Sequence, residues 1–141
     1  MITVKQYKEI CDQIVDAIEI DGHVLASSEE QGMKKLKDKD GIRLVAVYPS
    51  YHFDGSTDAY KDMHEILFFM VTRQIEGADD ETELKQYNDS QEALIRLKEY
   101  LFGEDNNYCR LFPYLDIRSV LIDPEHNIFG GYIGWSMKFV C

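Results

Sequence analysis

The clearest pattern in the chain is an alternation of apolar residues with small or polar ones within residues 117–141. The apolar members of this alternation are Ile133, Trp135, Met137 and Phe139. A period of two is typical of a strand with one buried face. An earlier apolar run stops at Asp123-Pro124-Glu125-His126, where proline suits a turn and cannot continue a strand ladder. We therefore predict a closing hairpin whose alternating apolar face packs against the helices.

Three glycines, Gly130, Gly131 and Gly134, interrupt this alternation. Glycine inside a strand marks a bulge, a sharp bend or the close approach of another backbone. A glycine-rich phosphate-binding loop needs a strand before the glycines and a helix after them. Because a strand follows here, we reject that alternative and predict a bent strand.

Apolar residues at spacings of three and four predict helices over three further segments. The first covers residues 4–20 and ends at Asp21-Gly22-His23. The second, residues 29–37, is short and polar, and a serine precedes it as a cap. The third and longest covers residues 81–102, although poor helix formers at its centre could move its start to Asp89.

Two stretches are apolar at almost every position, as expected of strands that are covered on both faces. They are residues 42–48, which Pro49 ends, and residues 64–75. Between them, residues 50–63 are rich in Tyr, His, Asp, Gly and Ser and contain Asp54-Gly55, a strong turn dipeptide. We interpret this segment as a loop, and loops of that length are often functional or mobile.

The elements follow one another in the order α-α-β-β-α-β-β, without an internal repeat or a linker. This order predicts a single α+β domain over residues 1–141, with a mostly antiparallel four-stranded sheet and two main amphipathic helices packed on it. Two helices do not suffice to cover both faces of such apolar strands. The uncovered part would be an interface, and we therefore expect self-association.

The chain has a net charge of −11, and its acidic residues are concentrated in one segment. Residues 78–105 contain nine Asp and Glu but only three Lys and Arg. No segment is basic, so we expect no stable binding to a nucleic-acid backbone, which needs neutralising Lys and Arg. A solvated helix face explains most of these acids. The alternative is a surface that repels DNA or attracts a basic partner, and its candidate residues are Asp79, Asp80, Glu81 and Glu83.

No stretch approaches the roughly 20 apolar residues that span a bilayer, and residues 1–7 lack the pattern of a signal peptide. We expect a cytoplasmic protein without membrane contact. The three cysteines, Cys11, Cys109 and Cys141, form no close pair, and an odd number favours reduced thiols. Cys109 lies in a predicted loop beside Arg110, and we favour an inert thiol over a nucleophile.

Candidate catalytic and metal-binding groups are sparse. The four histidines show no metal-ligand spacing. His52 and His64 flank Asp54 and Asp58, and such a cluster could bind a divalent ion, but we favour turn or strand-end roles for these residues. No nucleophile elbow, P-loop or paired-carboxylate pattern is present. The sequence predicts no enzyme activity and no cofactor.

The closing segment also resembles a known group of proteins. The matching stretches are Asp123-Pro124-Glu125-His126-Asn127, Phe129-Gly130-Gly131-Tyr132 and Gly134-Trp135-Ser136. They look like small structural proteins of prophages in Bacteroides-type bacteria, which are similar to tail-completion or head-tail joining proteins. The resemblance implies a subunit that assembles with itself into a ring at the end of a phage tail tube. It also implies contacts with other tail or head proteins, in the bacterial cytoplasm or in the virion.

Aromatic residues are the candidates for the subunit contact. The ones that we assign to an interface are Phe112, Tyr114, Phe129, Tyr132 and Trp135. Another group could stack on nucleic-acid bases, but a basic groove is missing, so we favour core or interface roles for Tyr48, Tyr51, Phe53, Tyr108, Phe112 and Tyr114.

A second hypothesis is a monomeric binding module, such as an immunity or inhibitor protein. Its acidic segment, residues 78–105, would cover a basic partner by charge complementarity. The two hypotheses differ in oligomeric state, since the first requires self-association and the second does not.

Overall fold

The computed structural model describes residues 1–103 and 111–141. In this part of the chain, three α-helices and a five-stranded sheet form the α+β architecture that the sequence predicts. The helices are α1 (Val4–Ile18), α2 (Glu29–Leu36) and α3 (Asp80–Phe102). The strands are β1 (Gly22–Ala26), β2 (Arg43–Ser56), β3 (Ala59–Arg73), β4 (Leu121–Ile128) and β5 (Tyr132–Val140).

The sheet is mixed, with the strand order β1-β2-β3-β5-β4. Strand β1 runs parallel to β2, whereas the other neighbours are antiparallel. The predicted four-stranded sheet therefore lacks one strand, because β1 begins at Gly22, within the segment Asp21-Gly22-His23 that was predicted only to end the first helix. A parallel neighbour requires a crossover connection, and α2 supplies it between β1 and β2.

Helices α1 and α3 cover one face of the sheet. Four aromatic rings form the centre of this layer, with Phe68 of β3 in contact with Tyr7, Phe112 and Phe139 at centroid distances of 6.3, 6.3 and 6.0 Å. All four side chains are buried. Both helices begin at a side-chain cap, since Thr3 accepts from the Gln6 backbone N–H and Asp79 does the same for Thr82 in α3.

Helix α2 covers part of the opposite face. Leu36 packs there against Val45, Val71 and the rings of Phe129 and Tyr132. Helices α1 and α3 therefore cover one face, and α2 covers part of the other. The sequence predicts only two helices packed on the sheet. The same face continues into half-buried residues such as Val47 and Leu67, farther along β2 and β3.

The predicted closing hairpin is confirmed as the antiparallel pair β4–β5, and its alternating apolar face packs against the helices, with Met137 and Phe139 in the core. The predicted turn at Asp123-Pro124-Glu125-His126 is wrong, because these residues lie inside β4. β4 is an edge strand, where proline is tolerated because its missing N–H can face the open side of the sheet. The chain turns instead at Phe129, Gly130 and Gly131, between the two strands.

Of the three glycines, Gly130 and Gly131 lie in the turn between β4 and β5, and Gly134 is a site where another backbone approaches closely. A Cβ atom at this position would lie 2.1 Å from the carbonyl oxygen of Met70 on the neighbouring strand, and the residue has a φ angle of 153°. The β3–β5 pairing therefore requires glycine here, because no side chain fits without moving a strand.

The predicted strand end at Pro49 is wrong, as is the predicted loop over residues 50–63. Strand β2 continues through Pro49 to Ser56, and β3 begins at Ala59, so most of the segment is a long hairpin. Its turn is Thr57-Asp58 and not Asp54-Gly55. Pro49 lies in a register shift between Val47 and Ser50, and irregular positions of this kind tolerate a proline within a strand.

Candidate functional site

The outer part of the β2–β3 hairpin, residues 50–63, is an arm that extends beyond the sheet. The β1–β2 pairing stops at Val47, and the β3–β5 pairing begins at Glu65. In between, the two strands of the arm pair only with each other among the described strands. Residues 50–61 are all exposed.

A β-bulge turns the aromatic residues of the arm toward the side of α1. Val47 pairs with Leu67 and Ser50 with Glu65, so three steps along β2 match two steps along β3. The extra residue moves Tyr51 and Phe53 to the face that even-numbered β2 residues occupy in the core. Both side chains consequently lie on the same side of the sheet as α1.

The aromatic side chains of this face contact residues of the opposite strand. The rings of Phe53 and Tyr60 meet edge to face with centroids 5.3 Å apart, and Tyr51 meets His64 in the same way at 5.0 Å. Cross-strand aromatic pairs stabilise a two-stranded ribbon. Phe53 is nevertheless 67% exposed and Tyr60 is 60% exposed, so this pair leaves most of its apolar surface in water.

A cleft of about 1180 Å³ lies at the base of the arm. Its walls are the first half of α1, the base of β3 and residues 111–115, and the lining is mostly apolar or aromatic. The lining includes Ile2, Glu9, Tyr60, His64 and Tyr114. Tyr114 is 85% exposed at the edge of this cleft.

His64 connects the arm to the residues that precede α1. Its Nε2 atom accepts from the backbone N–H of Ile2 at 3.1 Å, so this nitrogen carries no proton. Its Nδ1 atom lies 3.3 Å from the carbonyl oxygen of Cys141, which can only accept, and the contact identifies Nδ1 as the protonated nitrogen. The Tyr51 hydroxyl donates to the carbonyl oxygen of Ile2 at 2.6 Å. The base of the arm is thereby held in one orientation over the cleft.

The structure places most of the predicted interface residues inside the molecule. Phe112, Phe129 and Tyr132 are buried. Phe129 meets Phe69 edge to face at 5.1 Å, and the Tyr132 hydroxyl donates to the Leu36 carbonyl oxygen at 2.7 Å. The contacts of Phe129 and Tyr132 fix α2 on the sheet. Phe112 packs on the opposite face against Phe68 and Phe139, so all three side chains belong to the core of the chain.

Trp135 and Tyr114 complete the predicted interface set. Trp135 is half-buried, and its indole N–H donates to the Tyr87 carbonyl oxygen of α3 at 3.0 Å. Tyr114 is the member of the set with a largely exposed side chain, and it lies beside the arm.

The four predicted acids lie at the start of α3. The Asp79 side chain accepts from the Thr82 backbone N–H. Hydrogen bonds from the Thr82 side chain and from this backbone N–H lower the pKa of Asp79. Glu83 accepts from Gln74 at 3.2 Å, whereas Asp80 and Glu81 are exposed. Since α3 follows the end of β3 that is opposite to the arm, these acids are far from the cleft.

The predicted ion-binding cluster does not come together. His52 and Asp54 are exposed on the arm, while His64 is buried and already has two backbone partners. Within residues 1–103 and 111–141, no three His, Cys, Asp or Glu side chains are arranged to hold a metal ion.

The cysteines offer no described nucleophile. Burial raises the pKa of the Cys11 thiol to about 12, and Cys141 is also buried. The candidate Cys109 lies outside the described residues. None of the described helices is long and apolar enough to cross a membrane.

The sequence contained a signal for the arm that we interpreted differently. Tyr51 and Phe53 alternate with polar residues, as strand residues do, and we had assigned them to core or interface. Pro49 and Asp54-Gly55 nevertheless indicated a loop, so neither residue entered the predicted site. Tyr60, on the opposite strand, lies in the same predicted loop and was not among the predicted interface residues.

Comparisons with known proteins identify no relative of this chain. No protein-family model matches it, and no curated protein or solved structure is significantly similar to it. Function must therefore be inferred from the arm, the cleft and the distribution of charge.

Proposed function

We propose that the chain is a phage-type structural protein, active in tail completion or head-tail joining, that assembles with itself into a ring and catalyses no reaction. The observation that carries this proposal is the arm, a two-stranded ribbon with exposed aromatic residues on one face. An isolated two-stranded ribbon is marginally stable in water and is strengthened by additional packing. In an assembled structural protein, neighbouring subunits would supply that packing.

The size and chemistry of the exposed surface support an assembling subunit. Phe53, Tyr60 and Tyr114 are all largely exposed, and Tyr60 and Tyr114 line one cleft. Clustered apolar surface of this kind marks interaction sites more often than isolated exposed residues do. Tyr114 is also one of the interface residues that the sequence predicts.

The net charge of the chain is compatible with a subunit that lies next to DNA without binding it tightly. A net charge of −11 disfavours contact with phosphates, and the exposed carboxylates of Asp80 and Glu81 add to this at the start of α3. A ring that DNA crosses must let it pass, and acidic walls would do so. The resemblance of the closing segment to prophage structural proteins favours the same class.

Light scattering and sedimentation at increasing protein concentration test this proposal. We expect a mass several times that of one chain, and ring-shaped particles of one size in negative-stain electron micrographs. A strict monomer at the highest concentrations would contradict the proposal. Filaments without a closed form would contradict the ring but not the self-association.

A function in the virion needs its own test. In a host that produces the corresponding phage, deletion of the gene should leave heads and tails unjoined or tails of abnormal length, and the wild-type gene should restore normal particles. Normal particles without the gene would exclude a structural role there.

The second candidate function is an acidic monomeric binding module, such as an immunity or inhibitor protein. The exposed acids Asp80 and Glu81, together with the partly exposed Glu83, favour it, because clustered charges speed the association with a basic partner. Under this hypothesis, charge reversal at Asp79, Asp80, Glu81 and Glu83 should abolish partner binding, and high salt should weaken it. Self-association that survives these substitutions would favour the structural protein.

A further inference from the structure

We propose that the arms of two copies pair edge to edge, so that two hairpins form one continuous antiparallel sheet around a two-fold axis at Phe53. The contact uses the free edge of β2 over residues 50–56. It goes beyond the proposed ring, because a two-fold contact joins two copies and does not continue from one subunit to the next. In a ring-forming protein, it would connect one ring to a second.

Every second residue on this edge directs its backbone groups away from β3, where no other described strand pairs with them. The turn Thr57-Asp58 has two residues, so the flanking pair Ser56 and Ala59 exchanges both of its backbone hydrogen bonds. Hydrogen-bonded pairs alternate with non-hydrogen-bonded pairs along an antiparallel ribbon. The residues of β2 whose N–H and C=O groups point outward are therefore Tyr51, Phe53 and Gly55.

The backbone of His64 follows this alternation. His64 pairs with Tyr51 across the ribbon, and its N–H and C=O groups bond to Cys141 on the other side, at 2.7 and 2.8 Å. The outer edge of β3 is thus occupied at the base of the arm, and residues 60–64 also line the cleft. The described residues 50–56 are not part of that lining, so the edge of β2 is the more accessible one.

The sequence of the edge is complementary to itself around Phe53. In an antiparallel contact that is symmetric about this residue, Phe53 meets Phe53 of the second copy, and His52 meets Asp54 of the second copy. An imidazole N–H can donate to the carboxylate, and the two-fold axis forms this pair twice. Tyr51 meets Gly55, whose missing side chain leaves room for the ring. A two-fold contact requires such a self-complementary surface.

The neighbouring registers are less favourable. Moving the two-fold axis by one residue toward the tip places Asp54 opposite Asp54 of the second copy, and like charges directly opposite destabilise a strand pair. Moving it by one residue toward the body places Pro49 opposite Gly55, and Pro49 has no N–H to donate. The register centred on Phe53 avoids both problems.

The other edges of the sheet are less suited to this contact. The outer strand β4 contains Pro124, and proline on an edge strand opposes the addition of another strand. The opposite edge, β1, has only five residues. The edge of β2 from Ser50 to Ser56 contains neither proline nor lysine, and an unprotected edge of this kind is a template for another strand.

The contact also covers exposed aromatic surface. Phe53 is 67% exposed, and in the paired sheet the two Phe53 rings are neighbours on the face that carries Tyr51. Residues 50–56 of each copy form a much smaller contact than the roughly 20–30 residues per side of a stable interface. We therefore expect a weak dimer that forms and dissociates as the protein concentration changes.

Exchanging the two polar residues tests this register. In a dimer of the His52→Asp variant, carboxylates face each other twice, and in a dimer of Asp54→His, imidazoles do so. Sedimentation velocity should show that each variant alone dimerises at least about tenfold more weakly than the wild type. In an equimolar mixture, the introduced aspartate meets the introduced histidine and the two native residues meet each other. The affinity of the mixture should therefore return to within about threefold of the wild-type value.

Matched controls make the same exchanges on the exposed outer strand β4. They are His126→Asp and Asp123→His, and they should dimerise as the wild type does. Circular dichroism checks that all four variants are folded. A dimer that the controls weaken as much as the arm variants do would place the contact on β4 and overturn the pairing of arms.

Amide hydrogen exchange locates the contact within the arm. As the protein concentration rises, the N–H groups of Tyr51, Phe53 and Gly55 should exchange more slowly. The N–H groups of His52 and Asp54, which bond within the hairpin, should change less. This alternation would not result from a contact between side chains alone.

Three results would overturn the pairing of arms. They are exchange in the arm that does not depend on concentration, a mixture of the two arm variants that dimerises no better than either alone, and a wild type that stays monomeric up to about 1 mM. Large assemblies that persist with either of the first two results would leave the proposed ring intact. A wild type that forms dimers and nothing larger would contradict the ring but not the pairing of arms.

Discussion

The inner and outer halves of the β2–β3 hairpin belong to the same two strands but lie in opposite environments. In the inner half, Leu44, Ala46 and Phe68 are completely buried between α1, α3 and the sheet. In the outer half, residues 50–61 are exposed and have no third strand among the described residues. The backbone ladder is continuous through both halves apart from one bulge. Strand formation therefore extends beyond the core, so that one hairpin has a buried inner half and an outer half with exposed aromatic side chains.

The largest expected difference between the two halves concerns their aromatic residues. Phe68→Ala should lower the free energy of unfolding by about 3–5 kcal/mol, because it leaves a cavity among the rings of Tyr7, Phe112 and Phe139. Phe53→Ala should change it by less than about 0.5 kcal/mol in the monomer. Urea denaturation at low protein concentration measures both. Similar losses in the two variants would show that the arm is part of the folded core.

Glycine substitutions give the second comparison. Alanine at Gly134 would place its Cβ 2.1 Å from the Met70 carbonyl oxygen, and alanine at Gly55 would lie 2.3 Å from that of Ala59. Gly134→Ala should cost at least about 2 kcal/mol of global stability, because two central strands must separate. Gly55→Ala should cost less than about 1 kcal/mol, because the tip of the arm can open by itself.

Thermal unfolding and amide hydrogen exchange distinguish these two glycine variants. We expect a lower melting temperature for Gly134→Ala, and for Gly55→Ala faster exchange that is confined to residues 50–63. Faster exchange throughout the sheet in Gly55→Ala would mean that arm and body unfold as one unit.

Two tyrosine hydroxyls provide the third comparison. Tyr132→Phe removes the donor to the Leu36 carbonyl oxygen at the end of α2, inside the body. It should cost about 1 kcal/mol, since a buried hydrogen bond is lost while the Leu36 oxygen keeps the Lys39 backbone N–H as a donor. Tyr51→Phe removes the donor to Ile2 at the exposed base of the arm and should cost less, because water can replace it. Chemical denaturation of both variants under the same conditions measures the two losses in free energy of unfolding. A larger loss in Tyr51→Phe than in Tyr132→Phe would contradict this prediction.

The smallest expected effect is a pH dependence in the body. Bonds from Lys8 and His23 lower the pKa of Asp12. The ionised Asp12 carboxylate therefore contributes stability at pH values above the pKa of an unfolded aspartate, near 3.9. This contribution is lost as the pH falls through the lower pKa of Asp12 in the folded state. Because 47% of the Asp12 side chain is exposed and water screens its charge, Asp12→Asn should cost at most about 1 kcal/mol at neutral pH. The difference in free energy of unfolding between the wild type and Asp12→Asn should be smaller at pH 3 than at pH 7. An undiminished difference at pH 3 would contradict this role of Asp12.

Helices were predictable from the sequence, because spacing and caps are local signals. The predicted helix over residues 81–102 matches α3 within one residue at its start, and the first predicted helix begins at Val4 as observed. This first helix, α1, ends earlier than predicted, because Glu19 adopts a left-handed conformation with a φ angle of 58° and terminates the helix. Strand β1 was missed since five residues carry little periodicity, and its parallel pairing with β2 depends on tertiary contacts.

Both prolines in strands misled the prediction for one physical reason. Proline prevents a ladder bond only where its nitrogen faces a partner strand. Pro49 lies in a bulge and Pro124 lies on an edge strand, so neither position requires the bond. Residue type reveals the missing donor but not which side of the strand needs one.

The candidate site was predictable only in its chemistry. Aromatic residues were expected at an interface, but composition does not tell which of them face the core, and Phe129 and Tyr132 are buried beneath α2. The acids were expected at the start of the longest helix and are found there, where Asp79 also caps it. The arm could not be predicted as a site because its strands were interpreted as a loop.

The bulge beside Pro49 gives one strand two independently fixed registers. The body sets the pairing up to Val47 with Leu67, and the tip of the hairpin sets the pairing from Ser50 with Glu65. Loss of one residue between these pairs would leave both in place and straighten the joint, since bulges add bend and twist. A single deletion at this bulge can therefore change the direction of the arm relative to the body, while the pairing in the core and the face that carries the aromatic residues stay the same.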